Sequence, residues 1–550
     1  MSGMDPSRWL RDARRVMAKL PSLRMGRVPD APALPVRDPW PGDANRGVRL
    51  MKSELELGGA YRPLHPNHWH EIVGSPLLRA NAHGFTWLRD LRQLGTDPAR
   101  SRARLLVSEW ISAPPPDPLA YRPDIIGARI TAWLAHYDFF AATADDSFRQ
   151  KLMARLVADA RALSAAIPSE ELDARALTAI KGLIAAAVAL PEHTGFMQRA
   201  LRFLPSEIQR QVLPDGCHAE RSPAAHLAAL QDLTEIRELL RAGQTQPPPA
   251  LLAAIERMAP ALRVMQHGDG GLALFNGSRE ESGKLVNLVL TQAGRGGRTP
   301  LSPADGGFQR LQAGRTVLIV DCGFPPPPGV DRNAHAGTLS MEVSIGRDRM
   351  IVNCGAFPAG PPEWHDAARS TAAHSTLIIA DHNSSEVRPE GLGRRPSIVA
   401  AQRQEANGAY WLEAHHDGWL KPFGAVHRRR LYVSESGEDI RGEDVVEAAQ
   451  PQPFALRFHL HPDVDANLQQ DGESVLLRLP SGTGWRLRAD HAQLALEESI
   501  YLGGPEPRRA EQIVLTIGAD GPQHVKWAIS KVRDEARPRQ DRVIPPPGTE

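Results

Sequence analysis

The apolar residues of this chain change their period once, near residue 300, and that switch limits the fold more than any other feature. Before it the spacing is helical. Ile126, Ile130, Trp133, Leu134 and Tyr137 fall on one helical face, 148–167 is rich in alanine and leucine, and 174–190 reads as a third helix stopped by Pro191. Ser222 and Pro223 supply a cap and first turn for a helix over 222–242, and another spans 250–266 after a short loop. Helices joined by short connections, with no strands between them, predict a layered or toroidal all-α domain. From about Gly314 the period is two. Leu339, Met341, Val343 and Ile345 alternate with Ser340, Glu342 and Ser344; Phe454, Leu456, Phe458 and Leu460 alternate with polar residues in the same way. About a dozen such runs without intervening helices predict a large antiparallel β-sandwich.

The expected class is therefore α+β and multidomain. It comprises a basic N-terminal helix and connector over 1–38, a helical domain over 39–300, a sandwich over 301–533 and a disordered, charged, proline-rich tail over 534–550. Composition closes off several functions. With 65 basic and 64 acidic residues, the net charge of +1 offers no field for nucleic acid, and no nucleic-acid partner is expected. Three scattered cysteines (Cys217, Cys322, Cys354) build neither a disulfide framework nor a CxxC knuckle. The longest apolar run, 183–190, is too short to cross a bilayer, so a soluble protein without a transmembrane segment is expected. Residues 1–30 hold seven basic and three acidic side chains with Trp9, Leu10, Val16, Met17 and Leu20 between them, and lack the uncharged apolar core of an export signal. The plainer reading is an amphipathic helix packed on the body; the functional one is peripheral contact with a membrane surface.

Chemistry-bearing residues gather in a few loops. Asp215-Gly216-Cys217-His218-Ala219-Glu220-Arg221-Ser222-Pro223 leads into a helix carrying His226 and places histidine, carboxylate and guanidinium at a helix N-terminus, suited to an anionic ligand. In the sandwich half, Asn333-Ala334-His335-Ala336-Gly337 and Arg369-Ser370-Thr371-Ala372-Ala373-His374 each enter a strand, and Asn353-Cys354-Gly355 closes another. His335 and His374 at strand entrances are placed to converge at one rim as zinc ligands or proton-transfer groups. His415-His416-Asp417-Gly418 is a further polar site. His65, His68 and His70 read as a polar loop, because Pro66 interrupts helical spacing.

Taken together, DGCHAERSP, HGDGGLALF, AHAGTLSMEVSIGRDRMIVNCG, RSTAAHSTL, HHDGW and FGAVHRRRLYVSESGEDIRGED resemble the heparinase II/III family of polysaccharide lyases, over about 39–529 and most strongly over 323–444. The resemblance implies an incomplete (α/α) toroid joined to an antiparallel β-sandwich with a glycan cleft between them. It also implies β-elimination on a uronate-containing polysaccharide and residence in the bacterial cell envelope or periplasm, although no export signal is visible. Such chemistry needs a group that neutralises the uronate carboxylate, a base for the C5 proton and an acid for the O4 leaving group. The family supplies an asparagine or histidine from the toroid, a tyrosine near the SP-x-x-H turn and a sandwich histidine, and some members hold zinc. Here His335 and His374 match two zinc positions, Asn353 stands in place of the third ligand's aspartate, and Asn333 stands where zinc-containing relatives carry a catalytic histidine. Ala224-Ala225 replaces the tyrosine turn, and 175–181 holds neither asparagine nor histidine.

Two functions follow. As a divergent lyase, the chain would use Arg221 or Arg369 to neutralise the carboxylate and His335 or His218 as base, with Glu220 assisting and His226, Arg369 and His416 binding an anionic polysaccharide; zinc, if held, would sit on His335 and His374 with Asn353. Alternatively, the chain keeps the cleft without the chemistry, as a glycan-binding or envelope-biogenesis protein. Glu220 as the acid of a simple hydrolase lacks a second carboxylate partner.

Overall fold

Apolar stripes at helical spacing must find cover, and in the first half they find it on one another. A computed structural model of the protein describes residues 28–532 apart from 171, 192, 194, 295, 470 and 471; the N-terminal helix and the tail expected from sequence lie outside the described residues. Helices run in succession from Pro76–Gly84 through Asp97–Ser112, Pro123–Ala135, Asp146–Ala166, Arg175–Ala189, Gly195–Gln211, Pro223–Ala242 and Pro249–Val264 to Gly283–Ala293. Ser222 caps Pro223–Ala242 through its hydroxyl, with Pro223 in the first turn. Pro123–Ala135 and Arg175–Ala189 cross closely because Gly127 and Gly182 face each other; a Cβ on Gly182 would meet the Gly127 Cα at 2.2 Å. Phe85, Trp110 and Trp133 pack edge-on at 5.2–6.0 Å in the middle of the ring. Sequence periodicity passes over Gly195–Gln211, which is helical despite Pro205, and over the hairpin Glu54–Leu57/Ala60–Pro63.

The connector is part of this ring. Trp40 is buried and its indole N–H donates to Glu235 at 2.6 Å, while Asp38 pairs with Arg89 at 3.0 Å. Glu235 shares Lys181 with Asp232, at 3.1 and 2.7 Å.

The second half is the expected sandwich. One antiparallel sheet runs in spatial order Gln493–Tyr501, Arg508–Ile517, Phe454–Leu460, Asp348–Val352, Met341–Ile345, Thr316–Asp321, Phe308–Ala313. The other runs Val399–Ala406, Ala409–Trp419, Ala425–Val433, Asp439–Ala448, His524–Lys531, Gly484–Ala489, Ser474–Arg478, Asp465–Leu468. Inward residues such as Leu318, Met341, Leu412, Leu431, Phe458 and Trp527 form one core. Two expectations need correction. The strand read from Leu339 begins at Met341, because Leu339 sits at φ +61°, a left-handed turn conformation that ends pairing. The strands are not free of helices: Pro362–Arg369 stands between them and carries Arg369 at its end.

Met341–Ile345 is buried on both faces. Met341, Val343 and Ile345 face the sandwich core, while Glu342 and Ser344 face the toroid, where both meet His267 at 2.8 and 2.9 Å. Arg349 pairs with Asp269 at 2.8 Å, and Tyr501 donates to Glu280, so polar side chains stitch the two halves together.

Candidate active site

Most polar residues singled out from sequence sit where a loop meets a helix or strand, and the structure draws them to the contact between toroid and sandwich; His416 instead lies within the strand Ala409–Trp419. Asn276, just after HGDGGLALF, is the link. Its amide donates to the Arg221 carbonyl at 2.9 Å and its Oδ1 accepts from the His335 backbone N–H at 3.0 Å, joining the DGCHAERSP and AHAG loops. His416 does not join them; its ring packs between the sheets against Trp419 and His427, at 5.1 and 5.4 Å.

His335 and His374 meet at 2.9 Å, and a backbone donor on one side and a backbone acceptor on the other fix both tautomers. The Gly277 N–H points at His335 Nε2 from 2.9 Å, so that nitrogen accepts and the ring proton sits on Nδ1. His335 Nδ1–H therefore donates to His374 Nε2, and His374 Nδ1–H donates to the Ser370 carbonyl at 2.7 Å. All four ring nitrogens are engaged in one directed chain. Burial holds His374 down at about 4 and His335 well below its ordinary value, the latter helped by His374 and Arg369, so both rings are neutral.

Zinc does not fit this chain. A histidine ligating through Nδ1 presents an N–H at Nε2, where the Gly277 N–H already points. The Asn353 carboxamide is taken up by the Ser375 N–H at 3.0 Å and by Glu342 at 3.1 Å. Among the described residues no group of three or more His, Cys, Asp or Glu is arranged to hold a metal ion.

The two arginines expected to neutralise a carboxylate are buried and fully engaged. Arg221 spans the halves: Nε donates to the Gly306 carbonyl at 2.8 Å, Nη1 to the Phe324 carbonyl at 2.7 Å, and Nη2 pairs with Asp321. Arg369, with no exposed side-chain surface, donates to the carbonyls of Ala334, Arg388 and Gly391 at 2.7–2.9 Å. His226 Nε2 donates to the Met258 carbonyl at 2.9 Å, and burial lowers its pKa to about 4. His218, 1 % exposed, accepts from the Glu220 N–H and donates to Gln211 at 3.2 Å, with its pKa lowered by burial to about 3.

Glu220 differs. It accepts from the Ala174 N–H at the start of Arg175–Ala189, and burial followed by the nearby Asp173 raises its pKa to about 7. Burial also acts to raise Asp173, but Arg175, bonded at 2.6–2.9 Å, outweighs it and lowers the pKa.

A helical ring and an antiparallel sandwich joined through these loops match known proteins across the whole length. Residues 105–294 match the family description "Heparinase II/III N-terminus" and 295–528 match "Heparinase II/III-like, C-terminal". The chain belongs to the heparinase II/III-like family. One relative, FtsZ-localized protein C of Caulobacter vibrioides (strain NA1000 / CB15N), is 31% identical over 520 residues, covering 90% of this chain and 89% of that protein. The fold matches heparinase III at a TM-score of 0.73 with 14% identity over 95% of this chain and 89% of that one. It also matches a mutant of heparan sulfate lyase HepC from Pedobacter heparinus at 0.60, with 16% identity over 96% and 88%. Chondroitinase AC lyase follows at 0.51, with 9% identity over 95% and 82%. The fold is thus that of polysaccharide lyases.

Within this heparinase II/III-like chain, the turn where a tyrosine was expected carries Ala224, whose N–H donates to Ser278 Oγ at 3.0 Å. Tyr501 lies at the contact between the halves, but its hydroxyl donates to Glu280 and burial drives its pKa well above the ordinary value, which leaves it unfit as a base. Sequence reading missed Asn276 and the His267–Glu342 pair. The one available signal was an acid and a histidine set among residues that are otherwise apolar or small.

Proposed function

We propose that this protein is a heparinase-fold member without lyase turnover that works with FtsZ at the bacterial division site. The observation that carries the first half is the directed chain from Gly277 through His335 and His374 to Ser370. A base must offer a lone pair to the C5 proton, and here each histidine lone pair already accepts a hydrogen bond. The engaged Arg221 and Arg369 support the same reading, since a carboxylate neutraliser must turn donors toward the substrate. The second half rests on the relative localised with FtsZ, whose likeness spans both halves of the chain. On this reading the basic, apolar-interleaved residues near the N-terminus supply peripheral membrane contact, and the toroid–sandwich body is a docking platform in the cell envelope's division machinery. The test is co-sedimentation of the full chain with FtsZ polymers, together with imaging of a fluorescent fusion in dividing cells. Saturable pelleting and a midcell band support it; diffuse signal without pelleting contradicts it.

Glu220 favours a second reading. A carboxyl with a pKa near 7 beside Asp173 and Arg175 has the protonation needed of a general acid, so a divergent lyase acting on a uronate glycan would place leaving-group protonation there.

A further inference from the structure

The outer face of the sandwich, away from the toroid contact, carries a row of side chains that neither reading uses. Cross-strand pairing aligns Trp411 with Tyr432, Tyr432 with Arg441, Arg441 with Ala528 and Ala528 with Arg488. These five residues line one side of an open groove of about 930 Å³. The row contains two aromatic rings, two guanidinium groups, a small residue between the two cations and no carboxylate. Trp411 is 42% exposed although it is a large apolar side chain on a solvent face. Arg441 is 65% exposed; among the described residues its one ion pair is with Asp439, outside the row, at 2.6 Å, and its guanidinium lies 6.0 Å from the Tyr432 ring centre. Arg488 makes no ion pair among the described residues. Of the other carboxylates in the groove, Glu443 faces Arg430 at 2.9 Å and Glu438 faces Lys531 at 2.7 Å, while Asp490 accepts the Lys526 backbone N–H at 2.7 Å.

From this row we infer a docking site for an extended acidic peptide that contains proline, contributed by a partner protein. Trp411 and Tyr432 touch at 48° with centroids 5.2 Å apart, and their outward faces form a shallow apolar wedge on which one compact ring such as a pyrrolidine can pack, next to the guanidiniums that call for acidic side chains. Spacing agrees. Arg441 and Arg488 lie two strands apart, about 9.6 Å at ~4.8 Å per strand. One turn of polyproline II advances about 9.3 Å in three residues, so acidic side chains three positions apart reach both guanidiniums across Ala528. The whole row, about 19 Å, accommodates roughly six residues in that conformation. The exposed Arg441–Asp439 pair is a weak competitor, because solvent screens it and holding two long side chains together costs entropy. The inference rests on the outer sheet alone and does not depend on the division-site reading.

Fluorescence anisotropy on the full chain tests it. The probe is a labelled synthetic decapeptide with proline at its third position and glutamates three and six residues later; the control has glutamine at both places. Binding of the probe should saturate, weaken at least tenfold in the control, and weaken at least tenfold in Trp411→Ala and in Arg488→Glu. Both substitutions are on the surface, and an unchanged melting temperature confirms folding. Equal binding of probe and control, unaltered binding by either variant, or no binding of the probe would overturn the inference. So would Trp411-dependent binding of an oligo-uronate in place of the peptide, because that would make the wedge a sugar platform.

Discussion

At the scale of single residues, histidine burial decides what this site does. His335 supplies both an acceptor for the Gly277 N–H and a donor to His374, so removing it strands two buried groups. His335→Ala should cost about 2–6 kcal/mol, from roughly 1–3 kcal/mol for each of the two orphaned groups. Chemical denaturation of the variant measures this, and an unchanged midpoint would show that the ring is not structural. The same burial makes the fold acid-sensitive. His218, His226, His374 and His459 are held at about 3 to 4, below the unfolded value near 6.5. Between those values the unfolded chain binds more protons than the folded one, so this stability is complete above pH 6.5 and is lost as pH falls toward 4. Glu220, raised to about 7, works the other way between pH 7 and about 4.5, but as one group against four. Melting temperature should therefore fall steeply from pH 6.5 to pH 4.5; a flat profile would contradict the buried neutral state. From sequence His218, His335 and His374 were placed in the right loops and read as open to substrate or metal. Loop position carries no information on burial, and the groups that close the His335–His374 chain, the Gly277 N–H donor and the Ser370 carbonyl acceptor, are backbone groups with no signature in sequence.

At the scale of elements, periodicity made the helices and strands legible, because a stripe of apolar residues must be covered whatever it packs against. It failed where one strand serves two partners. Glu342 and Ser344 look like the solvent side of a half-exposed strand, yet they are buried against His267 of the toroid. The helix Pro362–Arg369, on which Arg369 rides, is too short for its period to stand out from the loops around it. Close helix packing was equally hidden, since one glycine in a helix reads as a local weakness, whereas Gly127 and Gly182 are a contact. Gly182→Ala should force Pro123–Ala135 and Arg175–Ala189 apart and destabilise by about 1–3 kcal/mol, despite alanine's better helix propensity. Thermal melting checks this; a stabilised variant would show that the crossing is looser than described.

At the scale of the molecule, the groups expected to do chemistry hold toroid and sandwich together. Arg221 grips Asp321 and the carbonyls of Gly306 and Phe324, and Asn276 ties Arg221 to His335. Arg221→Ala leaves Asp321 buried without its cation, which typically costs about 3–5 kcal/mol. Calorimetry should show a large loss of melting temperature; an unchanged value would mean that Arg221 does not clamp the interface.

The fold and family are those of polysaccharide lyases, and under the proposed function this scaffold has lost turnover by closing His335 and His374 into structural hydrogen bonds. The direct measurement is ultraviolet absorbance of the unsaturated uronate product, with purified full-length chain incubated with heparan sulfate, heparin, alginate and chondroitin at neutral pH. No absorbance above a protein-free blank is expected on any of them. A product signal that grows in proportion to protein concentration would contradict it and would make Glu220 the first residue to substitute.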